Sequence, residues 1–217
     1  ESAAGEAPHA LSDNMRTTRP PHRPDLLERG RPGVVDEMGC GAEVPAAVAA
    51  AAEIAWALNT GRKVLWAGNG GSASQAEHFS AELVGRFRYH RSPLRSLTLT
   101  GPSALITALA NDYGYAEVFA RQLQALGDEG DVFVGISTSG TSPNIVRAFE
   151  TARQLGLVTI AIIGDSSPDV LHGLSDPDIV ICASGDWVAC IQEAHERAGH
   201  TICELVERVL FPPGDGA

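Results

Sequence analysis

Short runs of consecutive apolar residues alternate along this chain with longer stretches that suit helices. Lys63–Ala67 (KVLWA), Ser96–Thr100, Val132–Ile136, Val158–Ile163 and Asp178–Cys182 read as five strands. Helices are expected at Ser74–Phe87, Ser103–Leu109, Ala116–Leu126, Pro143–Leu155 and Trp187–Phe211. Ahead of them the run PAAVAAAAEIAWALN, within Val44–Asn59, has no interior Gly or Pro and ends at Gly61, a helix stop. Strands that are apolar throughout are buried on both faces, which requires a parallel sheet covered by helices on each side. The expected fold is therefore α/β: a three-layer α/β/α sandwich around a five-stranded parallel sheet.

Residues 1–35 break this pattern. Between Arg16 and Val34 the chain is crowded with Arg, Pro and Gly, and it buries too little apolar surface to offset its ordering entropy. We expect a flexible or arm-like N-terminal extension over 1–35 and one domain over 36–217. The 44% hydrophobic and 20% charged composition is that of a globular protein. A net charge of −11 argues against nucleic acid as a partner, which needs clustered Lys and Arg. It does not exclude a small phosphorylated ligand, which backbone amides and hydroxyls bind without net positive charge. Cys40, Cys182, Cys190 and Cys203 form no C-x-x-C pair and suit reduced thiols of a cytoplasmic protein. Neither a membrane span nor a secretory signal is expected.

Two loops carry candidate chemistry. After KVLWA comes Gly68-Asn69-Gly70-Gly71-Ser72-Ala73-Ser74, which lets backbone amides approach a ligand at a helix N-terminus. It completes neither the dinucleotide fingerprint nor a P-loop, and a tight turn with a capping Ser would read the same way. Asn69, Gly70 and Ser72 are its candidate contacts. After VFVGI comes Ser137-Thr138-Ser139-Gly140-Thr141-Ser142-Pro143-Asn144, with five hydroxyls in six positions before a Pro suited to the first helical turn. One hydroxyl suffices for a cap, so Ser137, Thr138, Ser139 and Ser142 read as a phosphate cradle.

His78 and Glu82, four apart on one helix, share a face and can hold a metal or form an ordinary surface pair. Gln192 and His200 lie eight apart on the last helix, within about 80° around its axis. Gln is a rare zinc ligand, and spacing alone does not select it over His195 or Glu193.

Four motifs in order, GNGGSASQAEHFSAELVGRF, ANDYGY, GISTSGTSPN and IQEAHERAGH, resemble the sugar isomerase (SIS) domain and, within it, the phosphoheptose isomerases. The resemblance covers about residues 44–211 and implies a flavodoxin-like architecture. It implies isomerisation of sedoheptulose 7-phosphate to a manno-heptose 7-phosphate, the entry to nucleotide-activated heptoses. It further implies one zinc ion (Zn2+) per subunit on His78, Glu82, Gln192 and His200, with Glu82 and His200 as the acid–base pair. Arg86, Asn111, Asp112 and Gln192 become sugar contacts, in a homotetramer with sites at subunit interfaces. Two positions depart from the pattern: Ala73 stands where many relatives have His, and Ala189 where many carry an Asp near the sugar. The second bears on substrate and stereochemistry. Isomerisation of another ketose phosphate and a non-catalytic SIS module that binds a sugar phosphate or a replication initiator are the competing readings; the latter gives no reason to keep all four ligands that the resemblance implies.

Overall fold

The computed structural model describes residues 44–164, 167–183 and 185–212. The expected N-terminal extension lies outside the described residues. Helix α1 (Val44–Asn59) leads into β1 (Val64–Gly68), α2 (Gly71–Val84), β2 (Ser96–Thr98) and α3 (Ser103–Tyr113). A 3-10 turn at Tyr115–Glu117 precedes α4 (Ala120–Leu126), β3 (Val132–Ser137), α5 (Pro143–Gln154) and β4 (Val158–Ile163). The chain ends in α6 (Pro168–Gly173), β5 (Ile179–Cys182) and the long α7 (Val188–Leu210). The five strands form one parallel sheet in the order β2-β1-β3-β4-β5.

Alternate strand residues feed two cores. Val64, Trp66, Val132, Val134, Ile136, Ile160, Ile162 and Ile181 face a layer made by α1, α2 and α7. Leu65, Ala67, Phe133, Ala161 and Ile163 face a layer drawn from α4, α5 and α6. Each fully buried large side chain contributes roughly 1.5–3 kcal/mol, so both layers are needed to hold the sheet. The indole N–H of Trp66 is satisfied inside the first core by the Ser96 hydroxyl at 2.9 Å, which in turn bonds Ser80 at 3.0 Å. The small residues of α1 let it sit closely on α7, so much of its apolar surface is covered within the chain.

Several boundaries differ from the sequence expectation. Helix α2 begins at Gly71 rather than Ser74, because Gly70 takes φ +55 and folds the chain straight into helical bonds from Ser72 to Asn69 and from Ala73 to Gly70. It ends at Val84, where the chain turns away to bond α7. The stretch expected as one helix over 116–126 is a 3-10 turn followed by α4, joined through the buried Val118 and Phe119. The six-residue α6 was not foreseen.

Candidate active site

Strands β1 and β3 are neighbours, yet α2 leaves β1 toward one face of the sheet and α5 leaves β3 toward the other. Such a switch point opens a crevice at the carboxyl ends of the two strands. Both glycine- and hydroxyl-rich loops border it. Asn69 and Asn144 lock them together with two reciprocal amide hydrogen bonds of 2.8 Å each. The Tyr115 hydroxyl donates to Asn69 Oδ1 at 3.1 Å. Neither α2 nor α5 has a side-chain cap; the N–H groups of Ser72, Ala73 and Ile145 close backbone turns onto Asn69, Gly70 and Ser142, and both helices start beside the crevice with the positive ends of their dipoles toward it.

The hydroxyl loop is curled by its own side chains. Ser137 Oγ accepts the Gly140 N–H at 3.1 Å and lies 3.5 Å from Ser142 Oγ. Ser139 Oγ accepts the Thr141 N–H at 3.3 Å and its hydroxyl at 3.2 Å. The Thr138 carbonyl accepts the Gly164 N–H at 3.2 Å and ties the loop to the end of β4. Ser142 occupies the cap position without spending its hydroxyl on the cap. Ser72, in the first turn of α2, is buried.

The second half of the site lies between α2 and α7, which run side by side in matching order. Gly71 meets Gln192, Gln75 meets Gln192 and Glu196, and His78 meets Glu196 and His200. Close approach is allowed because Gly199 faces the Phe79 ring, where any Cβ would collide. His78 Nε2 and His200 Nε2 come within 2.9 Å. Glu82 Oε1 lies 3.7 Å from His78 Nε2, while Glu196 Oε1 lies 3.4 Å from His78 and 3.6 Å from His200. Phe87 stacks on the His200 ring at 5.4 Å and Phe79 meets it edge-on, which fixes its plane.

These donors suit a metal ion. Ligands about 2.0–2.1 Å from a tetrahedral zinc stand roughly 3.3 Å apart, and the observed separations of 2.9–3.7 Å straddle that value. Imidazole nitrogens with carboxylate oxygens are a donor set that zinc accepts. Cys203 is no competitor: burial, reinforced by the Glu82 and Glu207 carboxylates, pushes its thiol pKa up and keeps it protonated. His195 faces the core; burial lowers its pKa and the Ile163 backbone opposes that only partly, so it is neutral at pH 7.

Not every expected site residue joins these two groups. The Gln192 amide packs on Gly71 at the start of α2, two turns of α7 away from His200. Arg86 is exposed just past α2. Asn111 and Asp112 are exposed at the end of α3, bonded to each other at 2.8 Å. Sequence reasoning passed over Glu196, Gln75, Asn144 and Tyr115. The signal for Glu196 was present, since it stands four residues after Gln192 and four before His200.

The chain is similar to known proteins over most of its length. The profile of the SIS domain family matches residues 42–164. The phosphoheptose isomerase of Halorhodospira halophila is 46% identical over 167 residues, covering 77% of this chain and 84% of that protein. That of Sulfurimonas denitrificans is 44% identical over 155 residues, 71% of this chain and 77% of that one. Among solved structures, the phosphoheptose isomerase GmhA of Neisseria gonorrhoeae superposes with a TM-score of 0.72 at 32% identity, covering 91% of this chain and 99% of that one. The phosphoheptose isomerase of Francisella tularensis gives 0.74 at 34%, covering 92% and 100%. In sequence and in fold, this chain belongs to the SIS-domain family and, within it, to the phosphoheptose isomerases.

Proposed function

We propose that the chain is an aldose–ketose isomerase converting D-sedoheptulose 7-phosphate to D-glycero-D-manno-heptose 7-phosphate, the first step toward nucleotide-activated heptoses. The observation that carries this reading is the meeting of His78 and Glu82 on α2 with His200 on α7, on a helix that starts at the glycine loop beside the crevice. From Gly71 to His78 the helix advances about 10 Å. An extended carbon chain advances about 1.2 Å per bond, so a seven-carbon sugar with its phosphate spans a similar length. A sugar phosphate lying along α2 from the crevice would bring its carbonyl end to the His–Glu cluster.

In this reading Ser137, Thr138, Ser139 and Ser142 hold the phosphate with the N-terminal amides of α5. Asn69, Gly70, Ser72 and Gln192 border the sugar chain. Glu82 removes the proton from the carbon beside the carbonyl and returns it to the neighbouring carbon. His200 moves a proton between the two oxygens, as an imidazole can at neutral pH. His78 and His200 supply the nitrogen donors for one zinc ion per subunit, and carboxylate oxygen completes the set. Bound there, zinc supplies Lewis-acid stabilisation of the negative charge that builds on the carbonyl oxygen.

We further infer a cytoplasmic homotetramer with sites completed by a second subunit. Helix α3 has no buried residue and exposes Leu105 and Tyr113, and just beyond it the exposed Tyr115 reaches the crevice-bordering Asn69. Exposed Asn111 and Asp112 at its end then gain a role as groups offered across an interface. The deciding experiment is NMR of the product formed from sedoheptulose 7-phosphate, with and without prior chelation. A manno-configured heptose 7-phosphate whose formation stops on chelation is expected. No turnover by zinc-loaded protein would favour a non-catalytic sugar-phosphate binder. Turnover of a different ketose phosphate would assign the change of specificity to Ala189.

A further inference from the structure

The segment leaving α2 carries a buried ion pair that neither the crevice nor the His–Glu cluster uses. The side chains of Arg91 and Glu207 are 1% and 0% exposed, and Nε of one meets Oε1 of the other at 3.0 Å. Taking two charges out of water is expensive, and apolar residues of similar volume often hold a fold as well or better. What such a pair supplies is direction. We propose that Arg91 and Glu207 form a clamp that positions the acid–base pair, holding Glu82 through its backbone and His200 through the Phe87 ring. The inference rests on reading Glu82 and His200 as the groups that move protons.

Three observations converge. First, Arg91 ties down the end of α2. Its Nη2 donates to the Glu82 carbonyl at 2.7 Å, and its Nη1 donates to the carbonyls of Leu83 at 2.7 Å, Ser92 at 3.1 Å and Gly85 at 3.2 Å. Glu82 and Leu83 lie in the last turn of α2, where intrahelical partners run out, so one rigid guanidinium caps the turn that bears the base. Second, Glu207 gathers the chain that follows. It accepts the N–H groups of three successive residues, Phe87 and Arg88 at 2.7 Å each and Tyr89 at 3.3 Å. Consecutive backbone N–H groups curled around one anion form a nest whose shape the anion fixes. Third, the residue at the head of that nest is Phe87, whose ring stacks on His200 with centroids 5.4 Å apart and planes 29° from parallel. Glu207 stands on α7 about two turns beyond His200, so the nest is anchored to the helix that carries the imidazole.

One ion pair thus closes a circuit from the last turn of α2, through residues 85–91, to α7. Sliding Glu82 against His200 would break charge-assisted hydrogen bonds in a place closed to water, where they are strong. The hydrogen bonds of Arg91 and Glu207 run to backbone groups and to each other, so both are positioning residues. Their leverage on rate is large, because misplacing reacting groups by about 1 Å costs on the order of 100-fold.

The test compares variants of the full chain by steady-state turnover of sedoheptulose 7-phosphate, by thermal melts, and by NMR of the histidine ring protons, with His200 assigned from His200→Gln. Arg91→Met combined with Glu207→Leu removes both charges at similar volume. Its melt should stay near that of the parent, while kcat falls about 10–100-fold and KM changes little. Arg91→Lys keeps the charge but loses the planar fork, and should lower kcat about 10-fold. Phe87→Leu should remove the ring-current shift on His200. The double variant should displace the same resonances and leave those of the core-facing His195 in place. A double variant that melts and turns over like the parent overturns the inference, as do His200 resonances that stay where they were. Should the double variant not fold, Arg91→Lys decides in its place, and a parent-like kcat there overturns the inference equally. If the parent protein turns over no sedoheptulose 7-phosphate, the isomerase reading fails, and the His200 displacement alone tests the clamp.

Discussion

Glu82 and His200 both touch His78 but would move different protons, and substitution should separate them. Glu82→Gln preserves shape and removes the base; kcat is expected to fall about 10²–10⁴-fold with KM little changed, measured by steady-state kinetics. Glu207 makes a contrasting case, because its role is support. Wholly buried, it accepts the N–H groups of Phe87 and Arg88 at 2.7 Å each and pairs with the buried Arg91 at 3.0 Å. Glu207→Ala leaves a buried guanidinium unpaired and should cost about 3–5 kcal/mol in urea unfolding. It should also loosen the Phe87 ring that stacks on His200. His195 gives a pH signature. Its folded pKa is lowered by burial, so the unfolded chain takes up the proton first on acidification. Its contribution is complete above the unfolded value of 6.5 and is lost as pH falls from there toward the lower folded value. His195→Gln should flatten the stability profile in that window, read from unfolding midpoints between neutral and mildly acid pH. Some of this was legible in the sequence and some was not. The i,i+4 spacing of His78 and Glu82 announced their common face. Gln192, Glu196 and His200 also share a face, and helical periodicity cannot say which of them lies level with His78. Glu207 is silent in sequence because its partners, three backbone N–H groups and the Arg91 guanidinium, lie 116–120 residues away.

The level of one helix against the other is an element-scale property, set where Gly199 admits the Phe79 ring. Gly199→Val should push α7 off α2, lowering zinc affinity and stability together, as a chelator titration and a thermal melt would show. The strands were legible because central parallel strands must be apolar on both sides; β4 follows the predicted Val158–Ile163 residue for residue. The start of α2 was not, because Gly70 reaches its left-handed conformation through local backbone geometry that a count of apolar positions ignores. Six-residue α6 is shorter than any periodicity can register. At the crevice, the hydroxyl loop was visible as an excess of donors, while the Asn69–Asn144 lock was hidden by a separation of 75 residues. That lock joins the two switch-point loops, and removing it by Asn144→Ala should raise KM for the sugar phosphate more than it lowers kcat.

At the scale of the whole molecule, two layers of helices bury the sheet, but α3 contributes no buried residue and leaves Leu105 exposed. A surface so poorly covered by its own chain is expected to be covered by another copy. Multi-angle light scattering should report a tetramer, and Leu105→Glu should shift it toward smaller species without unfolding the subunit. Helix α1 is no rival for this purpose: it is apolar around much of its circumference, yet α7 takes up much of that surface inside the chain. The distance between the two imidazoles along the chain has a consequence of its own. His78 and His200 are separated by 122 residues, with four of the five strands or the helices that follow them lying between. The ribosome must therefore have released α7 before the two imidazoles can meet, so synthesis intermediates that already own the glycine loop lack half of the cluster. An ion held between these imidazoles would be acquired late in folding, once α7 has docked on α2.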